Sequence, residues 1–330
     1  MDTLRKFIDK INSKAGFRGI IRFNEPMASH CTFKTGGPAD LYIRPKKQVF
    51  LDYVPALLKA ARDEGIPVFI LGKGANILMS DKGIRGIVLD MGNWQGFTIM
   101  PIENAGKYDE HDAAGDFYQA CVLSGTYIDP LLKKLAAKSY GGMEFLSGLP
   151  SSVGGAVWMN ARCYEKSISD VLIKTEVLDE DLNHLTIYTR ESDFSYKKGP
   201  FQGKNMLILK AFFKLEKLDR VGKKTIKKTM ADHLMDRKNK GHFRYPSAGS
   251  AFKNNHDFGS PSGKIIDEAG LRGFSIGGAQ VAPWHGNIII NRKKATSTDI
   301  KNLMDEVARR VKEKQGFELE REVLLVGEWE

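Results

Sequence analysis

Val68 to Ile77 reads VFILGKGANI: four apolar residues run straight into the loop Gly72-Lys73-Gly74-Ala75-Asn76. Val68-Phe69-Ile70-Leu71 has the bulk of a buried strand, and the small residues that follow leave the backbone open to whatever lies beside it. Such a loop is either a plain turn or a cradle whose amides meet a phosphate-bearing ligand. Upstream, Val49, Leu51, Val54, Leu57, Leu58 and Ala61 recur at helical spacing, and Gly65 closes that helix. Before it, Thr35-Gly36-Gly37-Pro38 turns into the alternating strand Ala39 to Ile43, and beyond the loop Ile87-Val88-Leu89 is another strand. Strand, helix, strand and glycine loop in that order predict an α/β layer that binds a ligand.

A second unit starts near Gly125. It has a helix from about Pro130 to Lys138 and the loop Ser147-Gly148-Leu149-Pro150-Ser151-Ser152-Val153-Gly154-Gly155-Ala156, then strands over 171–178, 185–188 and 206–215. Ile77 stands where a dinucleotide fingerprint has its third glycine, so the Rossmann reading is weak, and neither loop has the GxxxxGK[ST] spacing of a P-loop. A phosphate-bearing cofactor and a pair of plain turns remain as the two readings.

Tyr245 to Asn254, YPSAGSAFKN, places Ser250 beside Gly249 and three residues before Lys253, with no His or Cys to make a hydrolase-type nucleophile. A serine there is either part of a turn or a hydroxyl that gives up a proton. Beyond it the pattern predicts a helix around 264–269 and a strand over 287–290. A long amphipathic helix carrying Ile300, Leu303, Val307 and Val311 follows, then a closing strand from Glu318 to Gly327. At the amino terminus Leu4, Phe7, Ile8 and Ile11 form one face of a helix, not the continuous apolar core of a secretion signal.

The 330 residues, 42% hydrophobic and 27% charged, allow two or three domains of ordinary soluble composition, with no apolar stretch of membrane-spanning length. Cys31, Cys121 and Cys163 lack CxxC spacing and the seven histidines include no HExxH pair, so no disulfide framework or metal is expected and a reducing cytoplasm is. The net charge of +10 is uneven, with twelve Lys or Arg against four Asp or Glu between Lys204 and Lys240. That run reads as a solvated helical face, or as a surface for nucleic acid, an acidic membrane or a phosphorylated small molecule. No aromatic residue interrupts it between Arg220 and Lys240, which makes nucleic acid the weakest partner. The charged segment from Glu216 to Lys240 looks like a linker entering a long helix, which puts a domain boundary there.

With these stretches in hand, the chain resembles the UDP-N-acetylenolpyruvoylglucosamine reductases, flavoenzymes of peptidoglycan precursor synthesis. His30 to Pro45, HCTFKTGGPADLYIRP, is similar to the family's HTTFxxGGPAD. Ile70 to Asp81 and Gly142 to Asn160 are similar to its two flavin loops, and the serine stretch to its AGSxFKNP. Ala269 to Val281, AGLRGFSIGGAQV, looks like the segment beyond, and ELEREVLLVG, Glu318 to Gly327, like its terminal LEPEVRFIG. Six motifs in the family's order cover nearly the whole chain, and no long tyrosine loop is seen, which places the resemblance with the shorter branch. It implies an α+β fold: an N-terminal helix over 1–26 and a two-lobed FAD-binding domain of the vanillyl-alcohol oxidase type over 27–217, with lobes at about 27–97 and 117–217. A C-terminal α/β substrate domain over 218–330 completes it. Residues 103–115 look like a surface insertion relative to the family.

The resemblance implies NADPH-dependent reduction of the enolpyruvyl ether of UDP-N-acetylglucosamine to UDP-N-acetylmuramate through FAD. The partners would be the UDP-sugar and NADPH, without nucleic acid or membrane, in a cytoplasmic monomer. Ser250 matches the family's proton donor and Glu322 its second carboxyl group, although a Glu in a closing strand would by itself read as an exposed edge charge. Lys197, in Phe194-Ser195-Tyr196-Lys197, stands where the family's FxYR has arginine, which keeps the charge and loses the bidentate fork. Tyr196, Arg237, Lys253 and Asn254 match positions toward the substrate. Gly72, Lys73, Gly74, Ala75, Asn76, Gly148, Ser151, Ser152, Gly154 and Gly155 match those toward FAD. Ser151 replaces a usual glycine, and Ala161-Arg162-Cys163-Tyr164-Glu165 replaces the common AGAYG. These departures leave an alternative, a flavoprotein of the same fold with a drifted substrate or reduced activity.

Overall fold

The computed structural model describes residues 2–102 and 117–329, so the insertion expected at 103–115 lies outside the described residues. In the first lobe, α1 (Asp2–Ala15) buries Phe7, Ile8 and Ile11. The helix stops well short of residue 26, a correction to the expected extent: Gly16 takes φ +60°, and Gly19–Pro26 is extended as β1. β1 pairs antiparallel with β2 (Pro38–Pro45), and α2 (Phe50–Asp63), β3 (Val68–Leu71), β4 (Ile77–Met79) and β5 (Ile84–Asp90) follow. The sheet runs β1-β2-β5-β3, with β5 parallel to both β2 and β3. Strand alternation sends Leu41, Ile43, Ile87 and Leu89 to the face covered by α1 and α2, and Tyr42 and Val88 to the other.

The second lobe contains β6 (Phe97–Pro101), β7 (Phe117–Leu123), α3 (Ile128–Ala137), β8 (Tyr140–Gly141) and α4 (Val153–Trp158). The short hairpin of β9 (Arg162–Cys163) and β10 (Lys166–Ser167) leads to β11 (Leu172–Leu178), β12 (His184–Tyr188) and β13 (Leu207–Lys217). Its antiparallel sheet runs β12-β11-β13-β7-β6, with β8 on the end of β13. Ala120, Val122, Val177, Ala211 and Phe213 form a core with Leu131 and Leu135 of α3 and Val153 and Val157 of α4.

α5 (Arg220–Asn239) holds most of the basic run and is the long helix expected there. Asp219 caps it, its carboxylate accepting from Gly222 N at 2.7 Å. Ile226 is its buried residue, set against Gly141, and Met230 joins the second lobe's core, while Lys224, Lys227 and Lys228 face solvent. Ile226 and Met230 thus pack α5 against the second lobe.

The last unit comprises β14 (Ser247–Ser250), α6 (Ser262–Glu268), β15 (Ser275–Ile276), β16 (Ala279–Val281), β17 (Ile288–Asn291), α7 (Ser297–Gln315) and β18 (Leu324–Val326). Its sheet runs β14-β17-β16-β15. A Thr296/Asp299 capping box starts α7, and Gly316 at φ +77° ends it. Ile300, Leu303, Val307 and Val311 of α7 share one core with Ala279, Val281 and Ile289, and with Tyr42 and Val88 of the first lobe. Two expectations are corrected here. The serine stretch is a strand with an irregularity at Ala248-Gly249, since β17 supplies the ladder that its small residues concealed. The closing strand spans only Leu324–Val326, paired parallel to β4, so Glu322 precedes it.

Candidate active site

Both lobes and the last unit line one cleft of about 1880 Å³. The first glycine loop enters it from β3. Gly74 has φ +65°, and a Cβ there would overlap the His30 carbonyl oxygen, so only glycine lets the loop sit on this segment. Thr32 N donates to Gly74 O at 2.9 Å, and Asn76 Nδ2 to Glu322 O at 3.1 Å, which ties the loop to the chain's last segment. The amides of Gly72 through Asn76 donate no hydrogen bond among the described residues.

The second loop differs from expectation. α4 begins at Val153, capped by the Ser152 hydroxyl, which accepts from Gly155 N at 3.3 Å, and Gly154 N donates to Ser124 O at 2.7 Å. Those two amides are therefore occupied rather than free. Ser151 Oγ turns back to Ser152 O at 2.9 Å, so its side chain is absorbed locally. Gly148, at φ +75°, donates to Asp129 Oδ1 at 2.8 Å and lies against the stem of Arg237.

Lys197, Ser250 and Glu322 all line the cleft. Glu322 N donates to Ala251 O at 2.8 Å, which sets it beside the serine segment. Its Oε1 lies 2.7 Å from Lys197 Nζ, with side chains only 9% and 14% exposed. Burial opposes the charge on Lys197, but the Glu322 carboxylate outweighs it and holds the ammonium's pKa above the ordinary value. Lys197 has φ +57°, a conformation uncommon for a residue with a Cβ. The Ser250 hydroxyl makes no hydrogen bond among the described residues.

Arg237 and Asn254 also reach the cleft; Tyr196 and Lys253 do not line it. Lys253 Nζ is 2.6 Å from Glu320 Oε1, and Asn254 Oδ1 accepts from Ser262 N at 3.0 Å. Beside Ser247 and Pro246 the cleft wall includes His242, whose pKa burial, Arg237 and His285 lower to about 4.

Sequence reading missed a polar network at the cleft's first-lobe wall. Asp90 Oδ2 accepts from the Tyr42 hydroxyl at 2.5 Å and from Arg44 Nη2 at 2.6 Å, and Oδ1 from Gly92 N at 2.6 Å. Burial and Asp90 together push the Tyr42 phenol far up. Tyr42 and Arg44 stand in a quoted motif at i and i+2, but the partner Asp90 is 46 residues beyond Arg44, a distance no local pattern reveals. Arg44 Nε and Ser124 Oγ are buried, unpaired among the described residues, and both belong to residues lining the cleft. Five open amides, unpaired buried donors and a cleft of this size fit a flavin dinucleotide.

Fold and cleft define an FAD-binding flavoprotein, and residues 39–187 match the FAD binding domain family. Residues 241–326 match the C-terminal domain of UDP-N-acetylenolpyruvoylglucosamine reductase. The chain is 42% identical to that reductase from Treponema denticola, over 94% of this chain and 95% of the relative. It is 40% identical to the one from Borrelia garinii subsp. bavariensis, over 98% and 97%. The crystal structure of the Thermus caldophilus reductase matches with a TM-score of 0.70 at 29% identity, over 94% of this chain and 99% of that one. The chain belongs to the UDP-N-acetylenolpyruvoylglucosamine reductase family.

Proposed function

We infer that the protein reduces UDP-N-acetylenolpyruvoylglucosamine to UDP-N-acetylmuramate with NADPH, through FAD, in peptidoglycan precursor synthesis. The observation that carries this reading is the Lys197–Glu322 pair in one cleft with an uncommitted Ser250 hydroxyl and the open amides of Gly72 to Asn76. Bound FAD would supply the hydride chemistry, linking NADPH to the substrate's vinyl terminus. That carbon becomes a methyl group, and the neighbouring carbon gains negative charge shared with its carboxylate. Lys197, kept charged by Glu322, stabilises that charge as a point cation. The Ser250 hydroxyl gives its proton to the same carbon, so one hydride and one proton add across the double bond.

The amides of Gly72, Lys73, Gly74, Ala75 and Asn76 would hold the flavin diphosphate, with Gly148, Ser151 and Ser152 facing them. Gly154 contributes by giving α4 room beside Ser124, and Gly155 by leaving room for the Ser151 and Ser152 hydroxyls. Arg237 and Asn254 meet the substrate's diphosphate and sugar. Lys253 and Tyr196 act from just outside the lining, Lys253 by holding Glu320 near Glu322. The same reading makes the protein a cytoplasmic monomer. Its three cysteines are free, and no helix among the described residues is long and apolar enough to cross a membrane.

The test is anaerobic. The flavin is reduced with NADPH, then the enolpyruvyl UDP-sugar is added while visible absorbance is followed. Reoxidation with formation of UDP-N-acetylmuramate is the expected result; a flavin that stays reduced would mean that this substrate is wrong.

A further inference from the structure

Arg237 is a cleft cation whose hydrogen bonds all go to uncharged groups among the described residues. Asp236, its neighbour in α5, is engaged elsewhere, by Lys240 Nζ at 2.8 Å and by the Tyr164 hydroxyl at 2.9 Å. Arg237 makes no ion pair among the described residues. Two of its donors are used on neutral acceptors: Nε donates to Ser147 O at 3.0 Å, and Nη2 to Cys163 Sγ at 3.0 Å. Its stem lies against Gly148, where a Cβ would come within 2.7 Å of Cδ.

The Cys163 side of this clamp is fixed by its neighbour. Tyr164 stacks on His233 of α5 with ring centroids 3.7 Å apart and planes 8° from parallel. Its hydroxyl also lies 2.9 Å from the His233 carbonyl oxygen, and its ring faces the Arg237 guanidinium at 5.8 Å. The β9–β10 hairpin is thus pinned to the helix that carries Arg237, and its thiol is delivered to one guanidinium nitrogen.

We propose that Cys163 is a positioning residue: with the Ser147 carbonyl it fixes the orientation of the Arg237 guanidinium, leaving its charge and Nη1 for an anionic group of the bound UDP-sugar. Neutral acceptors suit this task. A carboxylate in either place would orient Arg237 equally well but would neutralise it, whereas a thiol sulfur is a weak acceptor that leaves the cation free to attract a diphosphate or carboxylate. Cys163 lies where the usual pattern has the alanine of AGAYG, so the device belongs to this chain's own sequence. The proposal rests on Arg237 meeting the substrate.

The experiment is a double-mutant cycle on the FAD-loaded protein without NADPH. The dissociation constant of the enolpyruvyl UDP-sugar is measured by calorimetry for the wild type, Cys163→Ala, Arg237→Ala and the double variant. Flavin content per chain is recorded for each as a control on folding. Cys163→Ala weakens binding about two- to tenfold, as expected for losing one orienting hydrogen bond. In the Arg237→Ala background the same change has no further effect. Cys163→Ser, which restores a neutral acceptor, returns binding to within about twofold of the wild type, a rescue that a merely structural defect would not show. Additive effects, or an unchanged constant in Cys163→Ala, would overturn the positioning role while leaving Arg237 in place. An unchanged constant in Arg237→Ala would instead overturn the premise, and the proposal with it.

Discussion

Lys197 Nζ lies 2.7 Å from Glu322 Oε1, joining a loop of the second lobe to the segment that precedes the last strand. Both side chains are largely buried, so each is the other's main source of charge compensation, and removing either leaves a charge with little solvent. Lys197→Ala should lower kcat by about 100-fold or more, the scale of losing a group that stabilises developing negative charge. Lys197→Arg should stay within about tenfold, because charge is kept and a planar fork added. Steady-state rates for the pair decide this, and full activity in the alanine variant would remove Lys197 from the chemistry.

The pH dependence of this pair has a definite sign. Lys197's pKa in the folded protein is raised above 10.5, mainly by Glu322 against the opposing effect of burial. Its stabilising contribution is therefore complete below the unfolded value and lost only as pH rises through the folded one. The wild type's alkaline drop in melting temperature should begin above about pH 10 and be smaller in Lys197→Met. A limb near pH 8 in kcat that disappears in Lys197→Arg would contradict this.

His242 works in the opposite direction. Burial, Arg237 and His285 lower its pKa from 6.5 to about 4, so the unfolded chain binds more protons between those values and stability falls as pH drops through that window. His242→Gln should lose less melting temperature between pH 6.5 and pH 4 than the wild type. Parallel curves would show that His242 does not titrate this way.

Gly74→Ala tests the first loop. The substitution adds a Cβ at φ +65° against the His30 carbonyl, with strain of about 1–3 kcal/mol before any displacement. The variant should purify with much less FAD per chain. Gly270→Ala, with a similar φ of +77° and nothing within 4 Å of its Cβ, carries the backbone strain without the overlap and should keep its flavin.

Ser250→Ala separates the half-reactions. NADPH should still reduce the flavin, but reoxidation by substrate should slow by about 10²- to 10⁴-fold, the range for losing a positioned proton donor. Equal slowing of both steps in stopped-flow traces would point to a misshapen site.

The elements whose periodicity reports burial on one face were legible in the sequence. α2 and α7 lie where Val54 and Leu57, or Leu303 and Val307, recur at helical spacing, and β3 fills the apolar run before Gly72. Elements that depend on distant partners were not. α4 hides two glycines behind a Ser152 cap, β14 consists of small residues that become a strand only against β17, and α5 has Ile226 as its one buried residue among those described. Motif order pointed to Ser250, Lys197 and Glu322, which line one cleft, while the ion pair of Lys253 with Glu320, 67 residues away, had no local signature.

β18 has consequences for when the protein can become active. β4, the strand that receives the first glycine loop, is hydrogen-bonded in a sheet of two whose other member is Leu324–Val326. Asn76 is braced by the Glu322 carbonyl, and Ser80 N donates to Val326 O at 2.8 Å. A nascent chain therefore has the loop's sequence long before it has the support that shapes it. The first loop therefore takes its braced form only once Glu322 and Leu324–Val326 have docked on it, so cofactor loading should follow the folding of the last unit.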